Sequence, residues 1–144
     1  MFFDEKLKEY IGKSREELIH CEKTALARIV IAAVDNNIDK GTAAMATLGF
    51  YLLFSKTDGS ADYAEMDLFN SFTEMKVDAA TYAQLTQTVA LKQCVDEVLS
   101  AAITIMEADP SVKDAFADIA MIAIVANGEV TDTEKEYFIT LFDR

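Results

Sequence analysis

The chain has 144 residues, 51% of them apolar, and a formal net charge of −12 at pH 7. Its length and apolar content argue against disorder and predict a single domain, residues 1–144, with a core of its own. The charge argues against nucleic-acid binding, which needs Lys and Arg to neutralise phosphate, and against an anionic membrane surface. Five glycines and one proline are too few to punctuate an all-β sandwich or barrel.

The opening MFFDEKLKEY has neither a basic leader nor a long apolar run, so it does not read as a signal peptide. Residues 2–11 form a short amphipathic helix with Phe3, Leu7, Tyr10 and Ile11 on one side. Gly12 ends it. Ser14 and Glu17 form a capping box that starts a second helix, which runs to about residue 34. DNNID at 35–39 is a turn. A third helix over 41–57 is apolar nearly all round, the pattern of a central helix covered on several sides.

Asp58-Gly59 stops that helix. Asp62 and Glu65 start the next, with Met66, Phe69 and Phe72 facing inward. Asp78 caps a helix ending near Val89. Residues 91–107 carry Val95, Val98, Leu99, Ala102 and Met106 at helical spacing. Asp109 caps a segment over 110–126, with Pro110 in its first turn. Asn127-Gly128 stops it, and Thr131 with Glu134 starts the last helix. The apolar runs 43–54 and 115–126, the second holding Asp118, fall short of the ~20 residues a bilayer span needs. The reading is an all-α bundle of seven to eight helices in a cytoplasmic protein. Cys21 and Cys94 match no metal or redox spacing and read as free, buried thiols in a reducing compartment.

One internal repeat stands out. LLFSKTDGSADYAEMDLFNSF, 52–72, aligns without gaps on MIAIVANGEVTDTEKEYFITL, 121–141. Gly59 matches Gly128, Glu65 matches Glu134, and Phe69 matches Phe138. Glycine accepts the left-handed backbone that closes a helix. Asp62 or Thr131 caps the next helix, and Glu three residues on returns the bond. Ala61 or Val130 plugs the corner. Each unit is thus a helix–turn–helix, and two such units should pack with pseudo-two-fold symmetry. The same pattern matches the second half of an EF-hand loop. The first half argues against that loop, because Phe54 and Lys56, or Ala123 and Val125, stand where oxygen ligands belong.

With these motifs the sequence resembles the TerB-like tellurite-resistance domains. Those are all-helical, with two halves that each carry a helix–Asp-Gly–Glu–helix element, here Asp58-Gly59 with Glu65 and Asn127-Gly128 with Glu134. The opening MFFDEKLKEY and SREEL also look like that family's N-terminus. The resemblance implies a stress-response domain, with protein partners in membrane-linked complexes and with metal binding; related domains are fused to DnaJ-type co-chaperones. Asn127 departs from the usual Asp and brings no charge to the second turn.

Other chemistry has little to stand on. His20 is the single histidine, and it points about 100° away from Cys21 on a helix, so no nucleophile–base pair is pre-formed. No Gly-rich nucleotide-binding motif is present. The remaining candidates are oxygen ligands in the turns. Asp58, Asp62, Glu65, Asn127, Asp132 and Glu134 are the residue types that hold a hard divalent cation such as Ca²⁺, Mg²⁺ or Mn²⁺. The same acids are ordinary partners of helix N-termini. The expectation is therefore a non-catalytic stress-response or adaptor domain with protein partners and a weakly held cation. A carboxylate-and-metal enzyme and a co-chaperone-type interaction module are the alternatives.

Overall fold

The computed structural model describes residues 2–55, 63–89, 91–126 and 130–142. Among them are eight α-helices and no strand: α1 (Phe2–Tyr10), α2 (Arg15–Asp35), α3 (Lys40–Leu53), α4 (Tyr63–Thr73), α5 (Ala79–Val89), α6 (Lys92–Ala108), α7 (Lys113–Ala126) and α8 (Asp132–Phe142). A 3-10 turn, Pro110–Val112, leads into α7. The all-α bundle expected from the sequence is the observed fold.

Helices α2, α3 and α5 start at side-chain caps. The Glu17 N–H donates to Ser14 Oγ and the Ser14 N–H to Glu17 Oε1, each at 3.2 Å. Asp39 accepts from Thr42 N–H at 3.1 Å and opens α3. Asp78 accepts from Thr81 N–H at 2.8 Å and opens α5. Each side-chain oxygen satisfies a backbone donor that the first helical turn leaves without a partner.

α3 and α7 pack on each other at the centre. α2 lies on α7 and α6 lies on α3, the exchange of neighbours that two-fold-related units produce. α2 also packs on α3 and α4, so the two halves differ in detail. α4 and α8 begin and end at positions offset by the repeat spacing, Tyr63 with Asp132 and Thr73 with Phe142. Leu52 and Ile122 are both buried, as central helices require. Burying the large side chains Phe116, Ile119, Met121 and Ile122 of α7 contributes up to about 1.5–3 kcal/mol each.

Phe69 and Phe138, equivalent in the repeat, each anchor an aromatic cluster. Phe138 packs on Phe3 at 5.3 Å and Phe142 at 4.7 Å between ring centres. Phe69 packs on Tyr51 at 6.1 Å and Tyr82 at 5.5 Å. Edge and tilted contacts of this kind suit the ring quadrupoles.

Several sequence expectations are corrected. The third helix ends at Leu53, short of residue 57, because Phe54 and Ser55 turn to i−3 bonds with Tyr51 and Leu52, both at 3.2 Å. Lys56 and Thr57 lie outside the described residues. The segment over 110–126 starts as a 3-10 turn, with α-helix only from Lys113. Ile11 follows the end of α1 and is 67% exposed, while Lys6 occupies the inner side. Val130 is exposed rather than a corner plug, and Ala61 lies outside the described residues. Cys21 and Cys94 are free thiols, as expected, but half-buried rather than buried.

Candidate functional site

The turn acids were the candidate ligands. Asp58, Asp62 and Asn127, with Gly59 and Gly128, lie outside the described residues. The other three occupy contrasting environments. Asp132 is exposed in the first turn of α8. Glu134 closes a capping box. Its Oε1 accepts from Thr131 Oγ1 at 2.7 Å and from the Thr131 N–H at 3.1 Å, and its own N–H donates to Thr131 Oγ1 at 3.2 Å. Glu65 is fully buried, and its main-chain carbonyl accepts from the Tyr51 hydroxyl at 2.8 Å. Among the described residues no three Asp, Glu, His or Cys side chains gather as a cation site, so Glu65, Asp132 and Glu134 do not form one by themselves.

Two charged features inside the bundle were not singled out from sequence. The first joins α1 to α7. Lys6 Nζ lies 2.5 Å from Asp118 Oδ1 and 2.9 Å from Asp114 Oδ1, with its side chain 8% exposed. Burial works against the ammonium. The bonds to Asp118 and Asp114 outweigh that and hold its pKa above the ordinary lysine value. Burial, with Asp118 beside it, pushes the Tyr10 phenol upward. A signal for this cluster existed: Lys6 shares helical spacing with Phe3 and Tyr10, and Asp118 interrupts an apolar run.

The second lies between α2 and α4. Glu22 is fully buried, and neither carboxylate oxygen has a hydrogen-bond partner among the described residues. Burial, followed by repulsion from Asp67, pushes its pKa up to about 9, which favours the neutral acid at neutral pH. Two turns earlier on the same side of α2, Arg15 grips Asp67 through Nε and Nη2, the second contact at 2.9 Å. That fork holds the Asp67 carboxyl below its ordinary value. Spacing again carried a signal, since Leu18, Glu22, Ala25 and Ile29 form one stripe. Glutamate is seldom fully buried, so the residue type itself gave no hint.

At the far end of α2 a shallow cleft of about 210 Å³ is lined by Arg28, Ile31 and Asp35, facing Asp109, Ser111 and Val112. Arg28 Nη2 donates to the Ser111 carbonyl at 2.9 Å. Ile31 is 60% exposed, and Val34, one turn on, is 51% exposed. Two exposed apolar side chains thus stand at one end of α2, Ile31 in the cleft that Asp35 and Asp109 also line.

Compared with protein-family models, with curated proteins and with solved structures, the chain matches none. No helix among the described residues is long and apolar enough to cross a membrane.

Proposed function

We propose that the chain is a non-catalytic adaptor domain of the TerB-like kind that works in a stress response by holding a protein partner. The family reading draws support from the all-α fold and from the matching bounds of α4 and α8, which the repeat anticipates. The observation that carries the adaptor role is the exposed pair Ile31 and Val34 on α2, with Ile31 at the edge of the cleft that holds Asp35 and Asp109. Large apolar side chains left in water cost free energy that a partner's surface recovers.

A photo-crosslinking residue placed at Ile31 in source cells tests the reading. A discrete protein adduct is expected, and Val34→Asp should abolish it without changing the melting temperature. Absence of any adduct from positions 31 and 34, in a chain that folds and is expressed normally, would sink the proposal.

A further inference from the structure

Glu22 stands out as a carboxyl with 0% exposure and no hydrogen-bond partner for either oxygen among the described residues. A carboxylate without donors or water is far less stable than the same group in solvent. The group therefore stays in the seam only as the neutral acid, and loses its proton when the seam opens.

We propose that the α2–α4 seam is a proton-linked latch, with Glu22 as the proton-binding residue that keeps α4 closed on α2.

The surroundings support this assignment. From α4, Asp67 repels any charge on Glu22, and Asp67 is itself held by Arg15 of α2. α3 contributes Tyr51, whose hydroxyl is engaged by the Glu65 carbonyl, and Lys40, which is exposed. The α6 acids Asp96, Glu97 and Glu107 are exposed, and so is Lys113, next to the 3-10 turn. Asp114 and Asp118 of α7 are taken by Lys6. Among the described residues no cation is bonded to Glu22.

The closed state binds one proton that the open state releases. Opening therefore grows tenfold per pH unit across the window between the ordinary carboxyl value near 4.5 and the closed-state value of about 9. Acid closes the latch and alkali opens it. The surface that opening uncovers includes Leu68, Phe69 and Phe72, all buried when α4 is closed. The latch is independent of the adaptor reading.

Amide hydrogen exchange on the full chain, compared with Glu22→Gln at each pH from 5 to 8, tests it. Taking the ratio removes the pH dependence of the exchange chemistry itself. Amides of α4 should exchange ahead of those of α7. Their protection relative to the variant should fall about tenfold per pH unit, while early-exchanging amides of α5 keep a constant ratio. Should Glu22→Gln fold poorly, Glu22→Met serves as the proton-free reference. A pH-independent α4 ratio, or α4 amides that exchange only together with those of α7, would overturn the latch.

Discussion

Thr131 and Glu134 satisfy each other: the Thr131 hydroxyl and N–H both donate to one Glu134 oxygen, and the Glu134 N–H donates back to the hydroxyl. An amide oxygen can take the same two bonds, so Glu134→Gln should melt like the parent. Glu134→Ala should lose about 0.5–1 kcal/mol, the usual cost of a lost cap. Thermal melts with and without Ca²⁺, Mg²⁺ or Mn²⁺ check both this and the cation expectation. Neither variant should change the response to a cation. A cation-induced rise in melting temperature that Glu134→Gln abolishes would assign the residue a ligand role instead.

A second prediction concerns how closely α3 approaches α6. A Cβ added at Gly49 would stand 2.6 Å from Val98 Cγ2. The Val98 side chain is β-branched and stiff, so it cannot swing aside cheaply. Ala has the better helix propensity by about 1 kcal/mol, but overpacking of this kind costs about 1–3 kcal/mol. Gly49→Ala should therefore destabilise by about 1 kcal/mol. Pairing it with Val98→Ala should restore part of the loss, and a double-mutant cycle in urea measures the coupling. A stabilised Gly49→Ala would show that the helices move apart freely.

Helix order and most helix ends were legible because they depend on local chemistry. Ser14, Asp78, Asp109 and Thr131 are short polar caps whose oxygens act within three residues, whereas the Asp39 cap of α3 reads from sequence only as part of a turn. The centre was legible too, since only a covered helix tolerates the apolar residues that surround α3 and α7. What escaped the sequence reading depends on distant partners. Lys6 is inside because Asp118, 112 residues away, meets it there. The early end of α3 follows from Phe54 and Ser55 folding back, with Ser55 3.0 Å from the Tyr82 hydroxyl. Of the three candidate ligands among the described residues, Glu134 has a role that local pattern could reveal, the capping box with Thr131. The burial of Glu65 comes from the packing of α4, which its own neighbours in sequence do not encode.

The Lys6–Asp118 pair yields a third prediction. Lys6→Met leaves Asp118, whose side chain is 15% exposed, without its ammonium. Removing one partner of a mostly buried pair typically costs about 3–5 kcal/mol, since the remaining charge is stranded. The loss should be toward the low end, because Tyr10 still hydrogen-bonds Asp118. Lys6→Met with Asp118→Leu should recover most of it, as an apolar contact replaces the pair. Urea denaturation of the two variants separates these outcomes. Equal stability of Lys6→Met and the parent would mean that Asp118 reaches solvent without the lysine.

The last prediction is the pH dependence of global stability contributed by Glu22. Its folded-state pKa is raised from the ordinary 4.5 to about 9, so between those values the folded chain holds a proton that the unfolded chain has lost. Stability must then fall as pH rises through that window, and the contribution levels off above about 9. The slope for one such proton is about 1.4 kcal/mol per pH unit. Other groups titrate as well, so the quantity to measure is the difference between Glu22→Gln and the parent. The variant should gain on the parent by about 1.4 kcal/mol for each unit from pH 5 to 8, whatever their offset at the acid end. Chemical denaturation at four pH values suffices. A constant difference would mean that Glu22 is ionised in the folded chain and that its burial is relieved by a donor or by water.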